Sequence, residues 1–191
     1  TLRLTMRAEI RRIVTDLGVT TILVTHDQLE ATTMADRVIC MNAGRVEQAG
    51  SAEDLYLRPD TLFVAGFIGS PPMNLIPGTA LDGRLQANGA RLAVSGHSGP
   101  LTLGVRPELL RVAERGLPAE IAHVEPMGRE TLYTAETPLG PMRFLEATSR
   151  PRWAADARVA LAFAPEDTLI FDPRGRRVTG AAACIAEVSY A

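Results

Sequence analysis

Lysine is missing from this chain: all 20 of its basic residues are arginine. No lysine amine is therefore available to form a Schiff base or to meet a phosphate as a point charge. A phosphate-cradling loop of the form G-x-x-x-x-G-K-[ST] cannot occur in it either. Cysteine is scarce. Cys40 and Cys184 stand far apart and fit neither a zinc spacing nor a disulfide framework, so both read as reduced small hydrophobes of a cytoplasmic protein. Aromatic residues make up only 5% and the net charge is −2. That balance leaves neither the basic groove nor the stacking platforms that single-stranded nucleic acid requires. No apolar run approaches 18 residues, and the N-terminal segment is an arginine-bearing amphipathic helix rather than a signal peptide. Direct insertion into lipid is not expected, and any link to a membrane would run through a partner.

What remains is ordinary globular material, 46% hydrophobic and 22% charged over 191 residues, enough for one large or two small domains. Leu2, Met6, Ile10, Ile13 and Leu17 recur at helical steps and define an apolar stripe, with Arg3, Arg7, Arg11 and Arg12 largely off it on an expected solvated face. Gly18 follows as a C-cap. Thr20 to Thr25 (TTILVT) is β-branched and apolar, the pattern of a strand covered on both faces. It runs into His26. Asp27 can cap a helix over Gln28 to Ala35, with Glu30 placed as in a capping box, and Asp36 and Arg37 read as a surface pair. Arg37 to Met41 and Arg45 to Gln48 form an expected hairpin around Asn42-Ala43-Gly44. A helix from Ser51 through Tyr56 and a second over Thr61 to Ile68 close this part.

The texture changes at Gly69-Ser70-Pro71-Pro72. Short alternating segments between Gly, Pro and Asn predict a small all-β domain, with strands at 73–76, 84–87, 91–94, 101–106, 119–125, 131–137, 142–146, 158–163 and 168–171. Arg106 and Glu108 read as a local ion pair or a domain or subunit contact. His97 and His123 have no carboxylate or thiol at ligand spacing and read as loop or surface residues. Trp153 reads as a packing anchor.

A histidine at the carboxyl end of a strand in an α/β layer stands where such folds hold ligands, and its proton moves near neutral pH. The stretch VTHDQLEATTMADRV (24–38) resembles the switch-histidine loop of ABC-transporter ATPases. LRLTMRAEIRRI resembles the helix after the D-loop, and LGVRPELLRV, VEPMGRETLY and FAPEDTLIFDP resemble the transport-associated OB domain appended to the maltose, multiple-sugar and glycerol-3-phosphate subfamily of importer ATPases. The resemblance implies an α/β remnant of an ABC ATPase domain (1–68) followed by an all-β OB-like barrel domain (69–191). It implies His26 as the residue meeting the γ-phosphate of ATP, Asp27 beside it, and Mg²⁺ as the metal of the intact parent. A second ATPase subunit, paired through the β domain, and membrane permease subunits are the implied partners, at the inner face of the bacterial plasma membrane. Thr32, Ala49, Ala52 and Leu109 depart from the subfamily's usual residues. Walker A, the Q-loop, Leu-Ser-Gly-Gly-Gln and Walker B do not occur here, so the chain is expected to be a fragment and, alone, to hydrolyse no ATP.

Two other readings compete. A free OB module binding an oxyanion or small metabolite is one, and single-strand nucleic acid binding is the weaker other. Residues 1–68 hold too few strands to cover their own apolar faces, so this part is expected to be docked on the β domain, dimerised through its exposed strands, or mobile.

Overall fold

The protein, seen in a computed structural model, is described over residues 2–87 and 90–190; the side-chain readings for Leu2, Arg3 and Cys184 fall outside the described residues. The chain divides after Asp60 into two compact units.

The first unit runs α1 (Leu2–Leu17), α2 (Gln28–Met34), β1 (Val38–Asn42), β2 (Arg45–Gly50) and α3 (Ala52–Leu57). β1 and β2 pair antiparallel across a tight turn in which Ala43 and Gly44 both take positive φ, 47° and 77°. That is the conformation a two-residue hairpin needs to match strand twist. Ser51 and Asp54 cap α3 reciprocally. Gln48, buried on β2, donates to the Arg58 carbonyl and accepts from the Asp60 amide, fastening the end of α3 to the hairpin.

Two expectations fail here. Residues 19–25 carry no regular secondary structure, and Ile22 and Val24 are 88% and 91% exposed. A strand exists only through its neighbours' hydrogen bonds, and among the described residues none pairs with this run. The apolar stripe of α1 is also uncovered: Met6, Ile10, Ile13 and Leu17 are exposed, whereas Arg7, expected on the solvated face, is 12% exposed at its side chain, and Arg11 and Arg12 are exposed as expected. Asp36 correspondingly pairs with Arg11 at 2.7 Å rather than with Arg37.

The second unit begins with α4 (Leu62–Phe67), which the composition change at residue 69 had assigned to the first part. The reason is Arg106. Its guanidinium is buried and donates to the carbonyls of Ala65 and Ile68, so the last turn of α4 is capped from within this unit.

Its strands are β3 (Asn74–Leu81), β4 (Arg84–Ala87), β5 (Ala90–Ser95), β6 (Gly99–Val105), β7 (Arg111–Ala113), β8 (Leu117–Pro126), β9 (Thr131–Glu136), β10 (Met142–Glu146), β11 (Arg158–Ala162), β12 (Thr168–Phe171), β13 (Arg177–Val178) and β14 (Ala182–Tyr190). They build a five-stranded sheet, β10-β9-β8-β11-β7, and a seven-stranded one, β13-β12-β6-β3-β4-β5-β14, with every pairing antiparallel. The larger sheet curls: the Ala183 amide on β14 donates to the Thr168 hydroxyl at the start of β12. The all-β expectation is met. β7, β13 and β14 had gone unread, and β3 runs five residues beyond its expected end at Ile76, to Leu81. Asp82 and Gly83, both at positive φ, make the type I′ link to β4.

Alternation puts Leu85, Leu92, Leu103 and Ile170 of one sheet and Leu117, Ile121, Tyr133, Phe144 and Leu161 of the other into one interior. Tyr133 and Phe144 lie directly opposite on β9 and β10 and stack at 4.7 Å. One side chain bridges from β3 of the larger sheet to the edge strand β10 of the smaller. Asn74 of β3 donates to the carbonyls of Arg143 (2.8 Å) and Val105 (3.2 Å), and its oxygen accepts from the Arg143 amide at 2.7 Å. The amide thus pairs with β10 as a strand would, and occupies an edge that would otherwise offer free backbone groups. Asn74→Ala leaves those backbone groups without their partner in a buried site, and is expected to cost about 2–3 kcal/mol in urea unfolding, read as a shift in midpoint at constant slope.

Candidate functional site

The loop around His26 is positioned by two helices. Arg7 and Arg11 lie one helical turn apart on α1, and both reach α2 and its flanks. The Arg7 Nη2 donates to Asp27 Oδ2 at 2.8 Å and Glu30 Oε1 at 3.1 Å, while Arg11 reaches the Met34 carbonyl and Asp36. Asp27 is the N-cap of α2. Its Oδ1 accepts from the amides of Leu29 (2.9 Å) and Glu30 (3.2 Å). The Thr25 hydroxyl accepts from the Asp27 amide at 3.0 Å and donates to Glu30 Oε2 at 2.8 Å.

His26 therefore sits between two tied residues. Thr25 and Asp27 are linked across it by the bond from the Asp27 amide to the Thr25 hydroxyl, and the imidazole itself is exposed with no partner among the described residues. The backbone is clamped and the ring is offered outward. The Glu30 amide first, with the Leu29 amide and Arg7, holds the Asp27 carboxyl below the usual carboxylate range against the opposing desolvation of the site. Glu30 is lowered too, first by the Thr25 hydroxyl and then by Arg7.

Asp27, beside His26 in the sequence, takes the capping role on α2. Glu30 does not complete a capping box: its carboxylate turns to Thr25 and Arg7 instead. Arg7 and Thr25 were missed. The readable signal was a set of arginines at helical spacing with an Asp-x-x-Glu cap some 20 residues on. Thr32 bonds back to the Gln28 carbonyl at 2.9 Å, keeping its hydroxyl on α2. In the second unit, Arg106 serves α4. His123 is exposed on β8, in keeping with the surface reading, and its Nε2 lies 3.3 Å from the Glu125 carboxylate. His97 is held by the Pro100 carbonyl at 3.1 Å. Among the described residues no three or more His, Cys, Asp or Glu side chains are grouped to hold a metal ion.

The second unit is a β domain of the OB class that follows the helix-and-hairpin unit in the sequence. Its residues 69–110 match the model of the MalK OB fold domain and residues 103–171 that of the TOBE domain. The chain is 45% identical over 183 residues to the sn-glycerol-3-phosphate import ATP-binding protein UgpC of Ruegeria pomeroyi, an alignment covering 93% of this chain and 52% of that protein. It is 41% identical over 188 residues to the xylose/arabinose import ATP-binding protein XacK of Haloferax volcanii, covering 90% and 49%. An uncharacterized ABC transporter ATP-binding protein, y4oS, of Sinorhizobium fredii is 50% identical over 139 residues, covering 68% and 38%. The chain spans about half the length, or less, of these curated relatives. Along nearly its whole length the chain is similar to the C-terminal portion of proteins named as ATP-binding proteins for sugar and sn-glycerol-3-phosphate import.

Because the fold lowers both carboxyls, the contribution of Asp27 and Glu30 is complete above their unfolded values, about 4. It is lost as pH falls through the lower, folded values. In Arg7→Ala both carboxyls are expected to titrate higher, followed by side-chain carbonyl NMR, and the Leu29 and Glu30 amides to exchange faster. Unchanged titration and exchange would mean that α1 does not organise this loop.

Proposed function

We propose that this chain is the C-terminal part of the energising subunit of an ABC importer for sugars or glycerol-3-phosphate-type solutes, in which ATP hydrolysis drives transport. The observation that carries the reading is the exposed imidazole of His26 on a backbone clamped on both sides, in a sequence aligned along nearly its whole length with import ATP-binding proteins. In this reading residues 1–68 belong to an α/β ATPase domain, although α4 at their end packs within the second compact unit, and 19–25 become a strand once other strands flank them. Residues 69–191 form the OB-like regulatory domain that pairs two subunits beneath a membrane permease, on the cytoplasmic face.

ATP with Mg²⁺ supplies the phosphoryl group when bound. From the described residues one side chain is offered to it: His26, whose exposed ring can donate a hydrogen bond to the γ-phosphate and hold a water in line. Asp27 has both oxygens engaged, by α2 amides and Arg7, so it fits a positioning role better than direct contact with phosphate. No lysine is present for a phosphate loop, so the remaining contacts come from elsewhere in an assembled ATPase.

A chimera joining the N-terminal half of the Ruegeria pomeroyi relative to this chain tests the reading. It is expected to hydrolyse ATP, and His26→Ala to lower kcat by about 10²–10³-fold, as loss of one preorganised donor does. The 191-residue chain alone is expected to release no phosphate. An active chimera indifferent to His26→Ala would overturn the role, and strictly monomeric sedimentation at high concentration would overturn pairing through the β domain.

A further inference from the structure

The Gly69-Ser70-Pro71-Pro72 stretch reads as a linker, yet the chain is tied down on both sides of it. Arg106 holds the Ile68 carbonyl, and Asn74 is bonded to β10. The two compact units divide earlier in the chain, within Arg58-Pro59-Asp60-Thr61-Leu62. From the first unit, the Arg58 amide donates to the Asp54 carbonyl at 2.8 Å and ends α3. The buried Gln48 side chain donates to the Arg58 carbonyl at 3.0 Å and accepts from the Asp60 amide at 2.8 Å. Between those two bonds stands Pro59, buried and with its φ fixed by the ring. The backbone therefore belongs to the first unit as far as the nitrogen of Asp60.

From the second unit, the hold begins one residue later. Thr61 is 6% exposed, and its hydroxyl accepts from the Val64 amide at 3.2 Å. The Leu62 amide donates to the Gly175 carbonyl at 2.8 Å, and Thr61 forms an isolated β-bridge with Arg176. The turn that receives them is closed on itself. The Asp172 amide donates to the Arg176 carbonyl at 2.8 Å, and Asp172 Oδ1 accepts from the amides of Arg174 (2.8 Å) and Arg176 (2.9 Å). Gly175 takes a φ of 72°, and a Cβ on it would stand 3.4 Å from that of Leu62, so glycine lets turn and helix meet closely. Ala65 packs with Met73 and Phe171, and Arg106 caps the last turn. From start to end, α4 is fixed to the β domain.

Asp60 alone is left between these two holds. It is exposed, and its carboxylate makes no hydrogen bond or ion pair among the described residues. Rotation about its φ and ψ turns all that follows against all that precedes, and breaks none of the bonds named on either side. We propose that Asp60 is a one-residue hinge, about which the β domain, with α4 as part of it, reorients relative to the first unit. Hinges absorb φ/ψ change at a few positions between elements while the packed bodies keep their internal contacts. Each bond that defines this one lies within one unit or the other. The hinge therefore stands independently of the ATPase reading, and failure of either leaves the other intact.

Domain hinging falls in the microsecond to millisecond range, over which residual dipolar couplings of the weakly aligned 191-residue protein average. Amides of residues 38–58 and of 74–171 are expected to need alignment tensors of different magnitude, with those of 62–68 following the second set. Asp60→Gly removes no side-chain bond and frees both torsions, so it is expected to widen the difference in magnitude. Gln48→Leu lets go of the Asp60 amide, and is expected to speed its hydrogen exchange about tenfold while leaving that of Leu62 unchanged. One tensor for the whole chain would overturn the proposal. So would α4 amides that follow residues 38–58, a change of tensor at 69–72, or Asp60→Gly couplings that match the unaltered chain. Leu62 exchange rising together with that of Asp60 in Gln48→Leu would overturn it as well.

Discussion

Two antiparallel sheets closing on one apolar interior are the constraint from which most of the second unit follows. A pleated strand sends alternate side chains to opposite faces, so a single register for β8, β9 and β10 commits Leu117, Ile121, Tyr133 and Phe144 inward and their neighbours outward. The stacked Tyr133–Phe144 pair then fixes where the loop before β11 can lie, because the tyrosine hydroxyl receives the Arg152 amide. Asn74 performs the corresponding service at the sheet edge, spending one side chain on three backbone bonds. Core, edge and loop are consequences of one packing solution.

Arginine does the joining elsewhere. With no lysine in the chain, each connection is made by a planar fork of five donors rather than a compact ammonium. Arg7 serves two carboxylates and thereby holds α1 to the start of α2. Arg106 serves two carbonyls at the end of α4. Arg152 joins a carboxylate and an indole. In all three places the guanidinium links segments distant in sequence or chemically unlike, and in Arg7 and Arg106 one terminal nitrogen serves both acceptors.

The failures of the sequence reading share a cause. TTILVT has every local feature of a strand, yet forms none here, since a ladder is a property of pairs and not of a segment. The apolar stripe of α1 was legible and correctly periodic. Its assignment to the shielded side was not, because the carboxylates that recruit Arg7 lie 20 and 23 residues away. Arg106 was noticed for its place at a strand end, but its partners, 41 and 38 residues earlier, are carbonyls that any sequence would supply. β14 escaped notice because nothing but the opposing β5 marks its register.

Local chemistry was within the reach of the residues alone: the helices at 2–17 and 28–34, the Asp27 cap, the positive-φ hairpin at Gly44, the change to β texture near residue 69 and the place of His26 between them. These depend on spacing, on capping side chains and on the steric freedom of particular positions, all written within a few neighbours. Which face of α1 is covered, where the two units divide, which arginine meets which acceptor and how Trp153 comes to lie against the core were settled only in three dimensions. Each depends on groups far apart along the chain, and their meeting is decided by the packing of the whole.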